Sequence, residues 1–291
     1  METFELRYFL AVAERENVGR AAEAVHVSPG SLSKAVSRLE RELGTTLFFK
    51  AGRGIQLTPE GLTLKKRAAQ IVQLEEDARF ELAGKNSGAV NILVSSEEIL
   101  QTFYGAALAK KTAALFPEAR TQYWTRPESA AARQVLDGEA QLALITTEAP
   151  PGTVAKTLAR VKFQTCAGPG HPLARRRGAR RIIPIGELLE HPFVSPDAAI
   201  LGRTSNSASP DGWRDDKFPR RIKYKVYGLK LMESLIREGL ALGYLPDYFV
   251  ASAGLVPLEI SGCPYYCQQT VRLIAKDPMT LGWLRALWSA L

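Results

Sequence analysis

Placing successive residues about 100° apart around a helix axis puts Leu32, Ala35, Val36, Leu39 and Leu43 on one apolar stripe. The spacing predicts an amphipathic helix with Ser28 as its N-cap and Pro29 at its first position, where a missing N–H costs nothing. Its other side carries Gly30, Lys34, Ser37, Arg38 and Arg41, with Ser31 and Ser33 at the margins. That outward face is basic and hydroxylic without acid, because Glu40 and Glu42 fall nearer the stripe. A charged outer face alone is the ordinary state of a solvated helix; the neighbouring elements distinguish this one. Upstream, VGRAAEAV predicts a second short helix whose Ala21, Ala22 and Val25 permit close packing, and HVSPG supplies a turn. Two short helices, a tight turn and a basic face make a helix-turn-helix, which lays its second helix in the DNA major groove. Downstream, residues 47–49 and 55–57 predict two short strands joined through 51–54, a wing with Lys50 and Arg53 at its tip, suited to phosphate or the minor groove.

The run FLAVAERENVGRAAEAVHVSPGSLSKAVSRLERELGTTLFFKAGRGIQLTPEG resembles the amino-terminal signature of LysR-type transcriptional regulators, with AA, LS, LE, LG, LF and LTPEG in order. Pro29 and Gly30 depart from it, standing where that family more often has Gln then Pro. The resemblance implies that a base-reading amide is missing at that end of the helix.

Residues 59–84 predict a long helix capped by Thr58 and opened by Pro59, with Leu64, Ala68, Ile71, Ala78 and Leu82 on one stripe. It is about 38 Å long at 1.5 Å per residue. So narrow a seam is better buried against a copy of itself than against a core, which predicts a dimerising linker. A two-fold pair of recognition helices then reads a near-palindromic operator.

After GKNSGA the period changes. VNILVSS, RTQYWTR and QLALITT predict short strands separated by helical stretches, and a second set follows in PFVSP, IKYKVYG, LKLMESLIREG and LALGYLP. This alternation predicts parallel sheets with crossover helices. The resemblance implies an effector domain of two α/β lobes like those of periplasmic binding proteins, crossed near 161–168 and again near 264–271, with TLGWLRALWSAL closing on the first lobe. The expected organisation is multidomain: a winged helix-turn-helix at 1–58, the linker helix at 59–85 and a two-lobed α/β effector domain at 86–291. Lobe I covers about 89–164 and 270–291, and lobe II about 165–269.

Ligands on open parallel sheets bind outside the carboxyl ends of strands, where helix N-termini converge. That rule selects Ser95, Ser96, Thr125, Arg126, Thr146 and Thr147 from lobe I, and Ser195, Tyr227 and Gly228 from lobe II. Hydroxyls, helix ends and one guanidinium suit a small anionic effector. Strand-end Ser and Thr equally serve as helix caps.

Composition sets the outer bounds. A chain of 291 residues with 46% hydrophobic content supports two or three domains. A net charge of +8 points less directly to DNA than it suggests, since residues 1–85 hold 13 basic and 12 acidic side chains. Much of the excess lies elsewhere, partly in RRRGARR at 175–181, which reads as a solvated loop. No signal peptide and no apolar run of about 18 residues occurs, so a cytoplasmic location is expected. No nucleophile elbow, phosphate loop or zinc motif appears, and no enzyme activity, metal or cofactor is expected. The alternatives are a two-lobed binding protein or enzyme with an appended DNA-binding domain, and a redox sensor built on Cys166, Cys263 and Cys267. The family resemblance implies a homodimer through the linker helix, assembled further into a homotetramer.

Overall fold

The computed structural model describes residues 1–52, 54–83, 90–176, 182–201, 209–279 and 282–291. At the amino end, α1 (Thr3–Arg15), α2 (Val18–Ala24) and α3 (Pro29–Leu43) precede an antiparallel pair, β1 (Phe48–Ala51) and β2 (Gly54–Leu57). The Asn17 side chain caps α2, accepting from the Arg20 N–H at 3.0 Å, and Ser28 caps α3, accepting from the Ser31 N–H at 3.1 Å. Between them His26 adopts a left-handed φ of 55°, which makes the turn. Leu6, Phe9, Leu32, Leu39 and Leu47 are buried beneath these elements, each contributing about 1.5–3 kcal/mol. Leu43 departs from the expected stripe and is 41% exposed, because α3 stops there and Gly44, at φ 67°, turns the chain away. The Glu40 carboxylate accepts from the Leu47 N–H at 2.8 Å and fastens the wing to α3. Arg53 lies outside the described residues.

The long helix α4 (Pro59–Ala83) starts with Thr58 Oγ1 accepting from the Gly61 N–H at 3.0 Å. Here α4 crosses the wing so closely that a Cβ on Gly61 would lie 2.2 Å from the Leu47 carbonyl oxygen. Arg7 of α1 donates to Glu75 at 3.0 Å and to Glu76 at 2.5 Å, fixing α4 to the helical unit. Of the predicted stripe, Ala68 is buried and Leu64 half-buried, whereas Ile71, Ala78 and Leu82 are exposed, as are Leu62 and Leu74. Among the described residues, most of the seam is therefore left exposed within one chain.

In lobe I, β3 (Asn91–Ser96) pairs in parallel with β4 (Arg120–Thr125) on one side and β5 (Leu142–Ile145) on the other. After β3 the chain forms α5 (Glu98–Leu100), a π-helical turn over Gln101–Gly105 and α6 (Ala106–Leu115); α7 (Glu128–Asp137) joins β4 to β5. The crossover expected at 161–168 is the second half of a longer strand, β6 (Val154–Ala167). Lobe II follows with β7 (Ile182–Pro184), α8 (Ile185–Glu190), β8 (Pro192–Pro196), β9 (Arg221–Val226), α9 (Leu229–Arg237) and β10 (Gly243–Pro246). It ends with α10 (Asp247–Ser252), β11 (Val256–Pro257) and β12 (Glu259–Ser261). The return strand β13 (Gln268–Ala275) runs antiparallel between β6 and β5, so one sheet ordered β10-β6-β13-β5-β3-β4 passes through both lobes. Elsewhere β8 pairs with β9 and β7 with β12, both in parallel. Finally α11 (Gly282–Ala290) closes on lobe I, with the Trp283 ring edge-on to Phe116 at 6.4 Å.

Two features tie these parts together. Lys65 and Lys66 of α4 pair with Glu139 at 3.5 Å and Asp137 at 3.0 Å in lobe I. In lobe II the wholly buried Arg220 donates to Asp211 at 2.7 and 3.1 Å and to Asp215 at 2.9 and 2.8 Å. Its guanidinium also lies over the rings of Phe193 and Trp213. Of RRRGARR, residues 177–181 lie outside the described residues, while Arg176 pairs with Glu187.

Candidate nucleic-acid interface and inter-lobe cleft

Gly30, Ser31, Ser33, Lys34, Ser37, Arg38 and Arg41 are all exposed on α3, and Lys50 is exposed on the wing. A helix whose buried side is Leu32, Ala35, Val36 and Leu39 necessarily turns these positions outward. Lys34 and Lys50 form no ion pair among the described residues. Arg38, exposed on the same face, also has a partner within the chain: its Nε donates to the buried Glu5 of α1, and its guanidinium lies 5.4 Å over the Phe4 ring. Burial pushes the Glu5 carboxyl up, but hydrogen bonds from the Glu2 N–H and Arg38 outweigh it and hold Glu5 below the usual range. The face has an acid after all, contributed by a helix 33 residues away.

At the carboxyl ends of the lobe I strands, Ser95 and Ser96 are fully buried. Ser95 donates to Gln134 Oε1 at 2.7 Å and Ser96 to the Glu97 carbonyl at 3.2 Å. Thr146 donates to Glu128 Oε1 through its N–H at 2.8 Å and its hydroxyl at 2.5 Å, while the Thr147 N–H reaches Oε2 at 3.2 Å. The donors expected to receive an anion at Ser95, Thr146 and Thr147 are thus engaged within the chain, two of them by a carboxylate that opens α7. Glu97 follows Ser96 and is half-buried beside it; burial first, and then the charge of Glu128, raises its pKa to about 7. Thr125 and Arg126 are exposed. The Arg126 N–H donates to the Ser96 carbonyl at 3.0 Å, and its guanidinium lies 5.4 Å over the Trp124 ring and donates to the Thr125 carbonyl.

In lobe II, Ser195 is buried and donates to the Pro196 carbonyl at 3.2 Å. Tyr227 is 75% exposed, with its hydroxyl hydrogen-bonded to Asp197. Gly228 precedes α9 with no side-chain cap bond, and nothing among the described residues stands within 4 Å of a Cβ built there; the first-turn N–H groups of a helix find no partner within it.

Residues 4–62 match the family model described as the bacterial regulatory helix-turn-helix protein of the lysR family, and residues 92–290 match the LysR substrate binding domain. This chain belongs to the LysR family. It is a DNA-binding transcriptional regulator with an effector-binding domain. The transcriptional activator IlvY of Salmonella typhimurium is 32% identical to it over 252 residues, 85% of this chain and 83% of that one. The regulator ClcR of Pseudomonas putida is 36% identical over 93 residues, so this LysR-type chain spans about a third of that relative. A full-length OxyR variant from Pseudomonas aeruginosa shares the fold, with a TM-score of 0.70 at 20% identity over 99% of this chain and 92% of that one. Full-length CbnR complexed with its target DNA shares it too, with a TM-score of 0.61 at 18% identity over 100% and 99% of the two chains. These relatives are named as regulators, in line with the reading of this LysR-type chain as a regulator rather than an enzyme.

In this regulator the carboxylates Glu97 and Glu128 and the amide of Gln134 complete the lobe I strand ends, and sequence reasoning passed over all three. Glu128 looks like an ordinary first-turn acid, stabilised by the helix N-terminus; only the register of β5 beside β3 brings Thr146 to it. The signal that was present is the doublet Glu97–Glu98 directly after Ser96. Cys166 lies buried within β6 and Cys267 buried just before β13, and burial pushes the Cys267 thiol up to about 12. Protonated thiols are poor nucleophiles; this concerns Cys166 and Cys267, whereas Cys263 is only part-buried.

Proposed function

We propose that this LysR-type regulator acts in the cytoplasm as a homodimer joined along α4, assembled further into a homotetramer, and reads a near-palindromic operator through α3. The exposed Ser31-Ser33-Lys34-Ser37 face carries the DNA reading: it stands outward from a capped, well-packed helix and its lysine has no competing carboxylate. The exposed Ile71, Leu74 and Leu82 on the open side of α4 support the dimer. Lys50 and Arg53 of the wing hold flanking phosphates, and Arg38, anchored on Glu5, buttresses α3 against α1.

The effector is a small anion bound between the lobes. Its partners are the Arg126 guanidinium and the open first turn of α9 at Gly228, since Ser95, Thr146 and Thr147 already have partners within lobe I. Ser96, Thr125, Ser195 and Tyr227 border the same cleft. The deciding experiment is retention of the full chain on the DNA upstream of its own gene at physiological salt, with and without small carboxylates. Retention no better than on random DNA overturns the operator reading; a response confined to cationic or neutral metabolites overturns the anion.

A further inference from the structure

Lobe II contains a cavity of about 140 Å³ that none of the strand-end residues lines. Its walls are the rings of Trp213, Phe218, Tyr244, Tyr265 and Tyr266, with the Cys263 thiol and Arg214 beside them. Trp213 and Tyr244 form a buried floor, edge to face at 5.0 Å, while Tyr265 and Tyr266 are 45% and 65% exposed at the mouth.

The polar ends of the floor are already satisfied. The Trp213 indole N–H donates to the Phe218 carbonyl at 2.7 Å, and the Tyr244 hydroxyl accepts from the Cys267 N–H at 2.7 Å. Aromatic cages often take cations, but here the ring faces have cations already. Arg220 lies 5.1 Å over Trp213 and Arg214 lies 5.0 Å over Tyr265, so those two ring faces are already taken. An anion fares no better, because Arg214, the charged residue lining the cavity, is held by both oxygens of Asp216 at 2.7 and 2.6 Å. What remains is an uncharged guest with a π-face. In volume alone the cavity matches one of about 150 Å³ that accommodates a benzene ring, and its open, partly polar lining leaves room for a ring that carries a hydroxyl.

We propose that this cavity is a second ligand site, separate from the inter-lobe cleft, that binds an uncharged monocyclic aromatic molecule. Its wall includes Gln268, the first residue of β13, and the Cys267 carbonyl next to it accepts from the Phe163 N–H of β6 at 2.9 Å. A guest therefore sits against the strands that join the lobes.

The test titrates phenol into the full chain labelled with 5-fluorotryptophan and follows fluorine resonances of Trp124, Trp213, Trp283 and Trp288, each assigned by replacement with Phe. The expected result is a saturable shift of Trp213. Cys263→Phe, which fills the cavity, should weaken that response at least tenfold. Tyr265→Ala, at the exposed mouth, should weaken it about two- to tenfold and serves alone if the first variant does not fold. Any of four results overturns the proposal: no saturable shift, a shift at Trp124, Trp283 or Trp288 without Trp213, an undiminished response in the folded variants, or saturation at lower concentration by benzoate or tetramethylammonium.

Discussion

Lys34 stands in the middle of the outward face of α3 with no ion pair among the described residues, while Arg38, one turn on, is bound to Glu5. The two cations should behave differently. Lys34→Ala is expected to cost about 1–3 kcal/mol of specific DNA binding and to reduce random-DNA binding less. Arg38→Ala should lower the melting temperature and weaken both kinds of binding together, because it leaves a buried carboxylate without its partner. Titrations on operator and random duplexes, with thermal melts of each variant, check this. Glu97 gives a second test. Its carboxyl has a folded pKa of about 7 against an ordinary value of 4.5, so the folded state prefers the protonated form. The associated stability is fully present below about pH 4.5 and is lost as pH rises through 7. Glu97→Gln should therefore melt higher than the parent at pH 8, with the difference vanishing near pH 4.5. Neither the Arg38–Glu5 contact nor the Glu97–Glu128 pair was legible in the sequence. Each joins residues at least 31 positions apart through tertiary packing, whereas Ser28 and Thr58, which each bond three residues onward, were legible as caps.

At the level of elements, local period carried most of the information. The short apolar runs VNILVSS and QLALITT, set between helical stretches, gave strands, the Pro59 start gave α4, and the helical spacing of α3 gave its buried side. The π-helical turn and the full length of β6 were not visible, since neither changes the hydrophobic period of its surroundings. The open side of α4 predicts that Ile71→Asp with Leu74→Asp converts the dimer to monomer by placing like charges along the seam. Sedimentation reads the change directly, and binding to a full operator should fall much further than binding to a half-site. In lobe II, Arg220→Met strands Asp211 in the core and leaves Asp215 without its counter-ion. The expected loss is about 3–5 kcal/mol in urea unfolding, and a loss under 1 kcal/mol would show that the pocket relaxes around the change.

Across the whole molecule, the effector must be felt at a DNA face on the far side of α4. Arg126→Ala should leave folding, dimerisation and basal DNA binding intact while reducing affinity for an anionic effector about ten- to a hundredfold. Calorimetry with the parent and variant decides, and equal affinities would remove Arg126 from the site. The ion pairs of Lys65 and Lys66 with Glu139 and Asp137 bear on how that signal travels. They clamp α4 to lobe I, while Arg7 clamps the same helix to the DNA-binding unit. These partly exposed pairs hold lobe I and the helical unit on the same helix, which serves as the boom of each subunit. With an arm of about 38 Å, a tilt of about 5° between the booms of two subunits moves each recognition helix by about 3 Å. That is close to the rise of one base pair, so a small rotation at the effector end is enough to put the two reading heads out of step with their half-sites.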